Sequence, residues 1–226
     1  MFSSPYFGLI LSASTYGFGM YLKKKIKSPL INPLLISIAL CIIFLKTFNI
    51  SYEDYEVGGR YISFMIAPAT VALVVPLYHN LDKLLNNLVP IIMGILSGSV
   101  VALVSIIILC KLFGLSEFIT ISLLPQSITT AIGIPLCEEY GGSIAVTAMS
   151  IVIRGIIGAV SAPIILKIFG IKDKVAVGIS IGTASHAVGT SKAVELGEIE
   201  GAMSGLSIAI AGIITVFLIP FMVKFI

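Results

Sequence analysis

Long apolar stretches separated by short polar connectors run along the whole chain. A helix needs about 20 mostly apolar residues to cross a bilayer, and stretches close to that length cover residues 5–22, 29–45, 60–78, 88–112, 115–136, 143–169, 174–195 and 202–225. The composition agrees, with 58% hydrophobic and 11% charged residues and a mean hydropathy of +1.11. The pattern predicts an all-α polytopic membrane protein whose residues 1–226 form a single transporter-like transmembrane domain.

Three of these stretches are interrupted by polar or helix-breaking residues. The interruptions cover residues 68–70, 126–130 and 183–191, and the third also carries glycines. Proline removes a backbone donor and clashes with the preceding turn, and a lipid-facing helix gains nothing from hydroxyl groups. These stretches are therefore predicted to be broken or re-entrant helices whose polar centres face protein or a water-filled cavity.

Lysines give a first prediction of the topology. Lys23, Lys24, Lys25 and Lys27 follow the first stretch and place that loop in the cytoplasm by the positive-inside rule. If residues 60–78 re-enter, the lysines at 111, 167, 172, 174 and 224 join them inside. We therefore favour seven crossings plus one re-entrant segment, with eight crossings as the alternative.

A short motif recurs in the second half of the chain. Residues 111–114, KLFG, return as 167–170, KIFG, and the period is about 57 residues. Duplicated units with paired broken helices are typical of secondary transporters. A chance similarity between two apolar sequences remains the other interpretation.

Charge, cysteines and motifs exclude several functions. The formal charge of +3 is small and scattered, which excludes nucleic acid as a partner. The three cysteines have no metal-ligand spacing, and we expect neither a metal nor a cofactor. Ser185 and His186 are adjacent, but no nucleophile elbow, HExxH motif or phosphate loop is present, so we do not expect an enzyme.

The broken stretches are candidate anion sites. Free amides at the start of a half-helix bind anions readily, and hydroxyls lie beside each interruption: Thr70, Ser127, Thr129, Thr130, Thr190 and Ser191. Together they could hold a carboxylate without a fixed cation. The alternative is that these small hydroxylated residues only allow helices to approach closely.

Two ionisable residues lie at membrane depth, where such residues are functional candidates. His186 suits proton coupling, or alternatively a neutral imidazole bridging hydroxyls. Arg154 could neutralise a substrate, but pairing with a glutamate or snorkelling to an interface is favoured. The glutamates of the connectors, Glu200 among them, are expected in solvent, with Glu195 a candidate for lining an entrance.

Three motifs resemble one known family. They are APATVALVVPLY at 67–78, LLPQSITTAIGIPL at 123–136 and GISIGTASHAVGTSKAVELGEIEGAMSGL at 178–206. They are similar to the LrgB/CidB/YohK family, which includes the membrane domain of the plant plastidal glycolate/glycerate translocator. The resemblance covers residues from about 60 to 226, whereas residues 1–59 match only in general character.

This resemblance implies a multi-pass protein of the bacterial or archaeal inner membrane that works with a small holin-like partner of the LrgA/CidA type. It also implies matching motif positions at Ser127, Thr129, Thr130, His186, Gly189 and Thr190. The chain departs from the family pattern at Gln126, where a lysine is expected, and at Ala131, where a proline is expected. A chain without that lysine must use other donors, such as Arg154, or differ in substrate.

The resemblance implies two functions. We favour a secondary transporter of small monocarboxylates such as glycolate, glycerate or pyruvate, embedded in the lipid bilayer as a homo-oligomer. The alternative is an antiholin or holin-like regulator of murein hydrolase activity and cell lysis that acts with the small partner.

Overall fold

The computed structural model describes residues 4–26, 33–65, 68, 78–79 and 81–226, and these residues form helices and no strand. The all-α prediction is confirmed. The chain divides into two compact units, Met1–Ala72 and Leu73–Ile226. Most of the predicted interruption near residues 68–70, including Thr70, lies outside the described residues, so whether residues 60–78 cross or re-enter stays a prediction.

The helices described in the first unit are α1 (Pro5–Lys25), α2 (Pro33–Thr47) and α3 (Tyr52–Phe64). α3 begins at Tyr52, within the polar connector predicted between the stretches 29–45 and 60–78. Ser51 caps the helix by accepting a hydrogen bond from the Asp54 backbone N–H, and the acids in the first turn suit the positive end of the helix dipole. The connector is therefore the start of a helix.

The second unit is built on three 25-residue helices, α5 (Leu88–Leu112), α8 (Ile144–Ile168) and α10 (Glu198–Met222), preceded by the short α4 (Leu81–Asn86). At 1.5 Å per residue each is about 37 Å long, enough to cross a hydrocarbon core of about 30 Å. Among the described helices, these three are the ones both long and apolar enough to span a membrane.

The segment after α5 enters the bundle and turns back. It consists of α6 (Glu117–Leu123), a 3-10 turn (Leu124–Ser127), an extended residue at Ile128 and α7 (Thr130–Glu139). The Ser143 backbone N–H, just beyond α7, donates to Ser122 Oγ at 2.7 Å. A straight helix would separate these two residues by about 30 Å, so residues 117–139 form a hairpin, the first hairpin.

A second hairpin follows α8. α9 (Lys174–Leu196) is broken at His186, whose φ of 39° and ψ of −135° are not helical. A Cβ built on Gly189 would lie 3.2 Å from the Ile181 carbonyl oxygen, and Ala193 shares a core cluster with Val177 and Ile181. Residues 181 and 189 would be about 12 Å apart in a straight helix, so α9 is two antiparallel arms, the second hairpin.

The two hairpins enter from opposite ends of the bundle. The start of α8 contacts the base of the first hairpin, where Thr147 Oγ1 donates to the Ser122 carbonyl at 2.7 Å. Near the other end of α8, Ala162 packs against Val177 and Ala193 of the second hairpin. An arm of about 12 residues reaches about 18 Å, roughly halfway through the hydrocarbon core, so both tips lie near mid-depth.

This arrangement gives the recurring motif a structural basis. α5 and α8 each have 25 residues, each ends before a glycine in the left-handed region (Gly114 at φ 63° and Gly170 at φ 64°), and each leads into a broken hairpin. α5 starts beside the second hairpin, with Ile91 and Ile95 near Val175, and ends beside the first. The two copies therefore run in opposite directions, as an inverted repeat.

The hairpins change the predicted topology. Residues 115–136 and 174–195 were each expected to cross, whereas both return to the end at which they entered. Lys111 and Lys224 consequently lie at the end where the first hairpin enters, and Lys167, Lys172 and Lys174 lie at the other. The expectation that these five lysines share one side of the membrane is wrong.

Candidate functional site

The two hairpin tips meet beside the middle of α8. A Cβ on Gly133, just after the first tip, would lie 2.9 Å from Ile151 Cδ1, and a Cβ on Gly155 would lie 2.8 Å from His186 Cε1 at the second tip. Glycines at 155 and 158 let the second tip approach α8 closely, since a side chain at Gly158 would collide with Ser185. This junction of α8 and the two tips is the candidate site.

Arg154 joins α8 to the second tip. Its Nε donates to the carbonyl oxygen of Ala184 at 3.0 Å. In an unbroken helix this carbonyl would accept from the N–H of residue 188, and the break at His186 leaves it at the end of an arm. A cation is favourable at such a carbonyl end of a helix. Arg154 therefore pairs with the backbone, and no carboxylate among the described residues pairs with it.

Two cavities border Arg154. The larger, of about 830 Å³, runs along α5 from Asn87, at the end where the second hairpin enters, to Leu109, near the other end. The smaller, of about 510 Å³, extends from Leu123 and Val146, at the other end. Both are lined by Gln126, Arg154 and Ala184, so these three residues border both cavities.

The predicted hydroxyl residues lie around the tips but not along these two cavities. Ser127 and Thr190 are buried, Thr129 is half-buried, and Thr130 and Ser191 are exposed. Thr190 Oγ1 donates to the His186 carbonyl at 2.9 Å and lies 2.7 Å from Ser204 Oγ, while Ser191 donates to the Val188 carbonyl at 2.7 Å. Their predicted part in substrate binding stays a prediction, as does that of Thr70.

His186 forms the second tip itself. Its side chain is only 3% exposed, and Nε2 has no hydrogen-bond partner among the described residues. The hydroxyls of Ser127, Thr183 and Ser185 are buried and unpaired in the same way. Leaving such a group unsatisfied costs about 1–3 kcal/mol, so these four groups on the two hairpins are candidates for contact with water or a ligand.

Gly189 has a packing role near the second tip. It is buried, and a Cβ there would lie 3.0 Å from Ile181 Cγ2 and 3.2 Å from the Ile181 carbonyl oxygen. Glycine at this position therefore allows the second arm to fold against the first. The close approach of the two arms explains why a glycine stands at this motif position. A contact between Gly189 and a substrate stays a prediction.

Sequence reasoning missed several features of this region. Glu200 was expected in solvent, yet it is only 8% exposed in the first turn of α10, with Oε2 unpaired among the described residues. The partner of Arg154 was also missed, because a backbone carbonyl leaves no mark in the sequence. Gly155 and Gly158, one helical turn apart on α8, were the available signal that another element approaches closely there.

The fold and site define a helical membrane protein with two opposed re-entrant hairpins that meet at an arginine. The sequence model of the LrgB-like family matches residues 12–225, and the chain belongs to this family. It is 38% identical over 224 residues to the antiholin-like protein LrgB of Bacillus mycoides (strain KBAB4), of Bacillus cereus (strain B4264) and of Bacillus anthracis (strain CDC 684 / NRRL 3495). Each alignment covers 99% of this chain and 97% of the relative. No solved structure matches the chain.

The family predicted from the three motifs is thus confirmed, and the similarity extends beyond them to the first two helices. Residues 1–59 resembled the family only in general character, but the family match begins at residue 12. The relatives' names favour the second of the two functions weighed from the sequence, the antiholin-like one.

Proposed function

We propose that this chain is an antiholin-like membrane protein that restrains a small holin-like partner and thereby limits murein hydrolase activity and cell lysis. The observation that carries the proposal is the similarity to antiholin-like proteins over 99% of the chain. Because the alignment includes both units, a function that needs the whole molecule can be transferred more safely than one resting on a single motif.

The surface of the second unit suits a protein that acts within the bilayer. Large apolar side chains are exposed along α5, α8 and α10, for example Val101 at 63%, Ile157 at 60% and Phe217 at 70%. In lipid such faces need no cover, and a small helical partner can bind them through van der Waals packing. Restraint of a holin-like protein would use these outer faces and would not need the junction at Arg154.

Lysis measurements test this function. Expression of the chain with a holin-like membrane protein of the same cell should delay lysis and lower extracellular murein hydrolase activity compared with the holin-like protein alone. Thr129→Val, Thr130→Val and His186→Gln introduced together should preserve the delay, because they alter the hairpin tips and leave the outer faces intact. Unchanged lysis timing with the folded wild-type chain would contradict the antiholin function.

A second function, transport of small monocarboxylates, is favoured by one specific observation. Two broken hairpins enter from opposite ends and meet near mid-depth, within an inverted repeat. Secondary transporters bind substrate at such a midplane junction of discontinuous helices. Arg154 supplies a cation there, and the larger cavity runs past it along α5 from Asn87 to Leu109.

Uptake into proteoliposomes tests the transport function. Labelled glycolate and pyruvate should accumulate with saturable kinetics, and the triple change at Thr129, Thr130 and His186 should abolish uptake while the protein still elutes as a folded species. The same variant is expected to keep lysis control, so the two functions separate on one protein. Absence of saturable uptake, with and without the holin-like partner, would exclude these carboxylates as substrates.

A further inference from the structure

We propose that the larger cavity beside α5, the α5 groove, is a path for phospholipid headgroups, so that the protein exchanges phospholipids between the two leaflets of the bilayer. This activity is separate from both functions proposed above, because it uses a lipid-facing surface and needs neither a partner protein nor a soluble substrate. Three features of the groove carry the inference: it opens to lipid, it extends across the hydrocarbon core, and polar groups line it at membrane depth.

The α5 groove opens sideways to lipid. It lies between α5 and the first arm of the second hairpin, and Val101, which lines it, is 63% exposed. Small residues form much of the α5 wall, because Gly94, Gly98 and Ala102 follow one another at every fourth position. A Cβ added at Gly94 would meet no atom within 4 Å. A headgroup can therefore lie in the groove while its acyl chains remain in the surrounding lipid.

The groove is long enough to join the two leaflets. It is lined by Asn87 at one end of α5 and by Leu109 near the other. At 1.5 Å per residue these two positions are about 33 Å apart along the helix axis, whereas the hydrocarbon core is about 30 Å thick. Each end of the groove therefore reaches the headgroup region of one leaflet, so a phospholipid can enter from either side and leave on the other.

Polar groups lie at short intervals along the groove. Ser180 and Thr183 line it from the hairpin arm, Gln126 from the first tip and Ser105 from α5. A Cβ on Gly98 would lie 3.0 Å from Thr183 Cγ2, which places the two residues at one level. Ser180 is about 9 Å from the start of the arm, and Ser105 is about 10 Å beyond the level of Gly98. Since a lipid-facing surface gains nothing from such groups, they indicate a path for a polar substrate.

The charge of the groove is complementary to a phosphate. Arg154 lines it near mid-depth, where a charged headgroup costs most to move through the bilayer. Nε donates to the Ala184 carbonyl, and the terminal amino groups have no hydrogen-bond partner among the described residues, so they remain available to phosphate oxygens. Asp173, the other charged residue that lines the groove, lies at its end and accepts a hydrogen bond from the Ala176 backbone N–H. The structure therefore favours phospholipids, with the phosphate as the recognised group.

Dithionite bleaching of labelled lipid tests the path. In vesicles of phosphatidylethanolamine and phosphatidylglycerol with a trace of nitrobenzoxadiazole-labelled phosphatidylethanolamine, dithionite bleaches the outer leaflet, and the wild-type protein should extend bleaching to the inner leaflet. Gly94→Leu should slow this second phase at least about tenfold, because its side chain projects into the groove, and the open space at Gly94 allows the variant to fold. Met93→Leu is the matched control, since Met93 is 58% exposed on the same helix and does not line the groove. Entrapped labelled glucose should stay unbleached, which shows that the vesicles are sealed.

Labelled lipids with different headgroups test the role of phosphate in the same vesicles. Labelled phosphatidylethanolamine and phosphatidylglycerol should exchange at similar rates, labelled glucosylceramide, which has no phosphate, more slowly, and Arg154→Gln should remove this difference. Bleaching confined to the outer leaflet with the wild-type protein would overturn the proposal, as would equal rates for the wild-type and Gly94→Leu proteins. Glucosylceramide exchange as fast as that of the phospholipids would overturn phosphate as the recognised group. None of these results depends on carboxylate uptake or on lysis timing.

Discussion

Gly182→Val is expected to abolish stable folding of the second unit. Gly182 lies on the first arm of the second hairpin, and a Cβ there would collide with the Ser204 carbonyl and Ser207 Oγ, and would lie 2.8 Å from Ser204 Cα. Two of these atoms belong to the backbone of α10, which cannot rotate away as a side chain can. We expect a loss of more than about 3 kcal/mol in unfolding free energy, measured as the folded fraction after heating in detergent.

Gly94→Ala is the matched control. Gly94 lies in α5 of the same unit, and an added Cβ would meet no atom within 4 Å. Alanine is favoured over glycine in a helix interior by up to about 1 kcal/mol, so the control should match or slightly exceed the wild-type protein in stability. Equal stability of the Gly182→Val protein would show that the second hairpin does not press against α10 in solution.

The sequence alone was sufficient to predict the fold class and the positions of two helix interruptions. Apolar length and hydropathy predict an all-α membrane protein, and proline, glycine and hydroxyl residues mark the interruptions at 126–130 and 183–191. The structure breaks at Ile128 and His186, inside both predicted ranges. These signals are local, because a residue unsuited to a lipid-facing helix can be recognised without knowing its neighbours in space.

The direction of the chain after each break could not be predicted. A crossing helix and a hairpin of two half-length arms need nearly the same number of apolar residues, about 20. A hairpin differs from a crossing helix in its contacts between residues that are far apart along the segment, such as Ile181 with Gly189. The glycines at 178, 182 and 189 are consistent with such a close approach, but their positions do not identify which element packs against them.

The hydrogen-bond partner of Arg154 could not be predicted from the sequence for a related reason. An arginine within an apolar stretch suggests a carboxylate partner or an interface, since both are visible as residue types. The Ala184 carbonyl becomes an acceptor only because the helix stops two residues later. The site therefore emerges from the break and the arginine together, and neither predicts it alone.

Cysteine labelling is expected to place residues 115 and 172 on opposite sides of the membrane. Both lie in exposed connectors, the first between α5 and the first hairpin, the second between α8 and the second hairpin. Since α8 crosses and each hairpin returns, Leu115→Cys and Lys172→Cys should react with an impermeant maleimide from different sides. If both interrupted segments instead crossed the membrane, residues 115 and 172 would lie on the same side.

The charges predict which side is which. Lys167, Lys172, Lys174 and Lys192 lie at or towards the end where the second hairpin enters, against Lys111 and Lys224 at the other. The positive-inside rule then places the second-hairpin end in the cytoplasm. Leu115→Cys should be labelled in intact cells, and Lys172→Cys only in inverted vesicles, with an all-or-none difference.

The parent protein is its own control for this labelling, because Cys41, Cys110 and Cys137 are all buried. It should react weakly from either side. Labelling of both introduced cysteines in intact cells would rule out the inverted repeat and restore two crossing segments. Labelling of Lys172→Cys in intact cells and of Leu115→Cys only in inverted vesicles would keep the hairpins but reverse the orientation, which would mean that the lysine excess at the second-hairpin end does not set the topology.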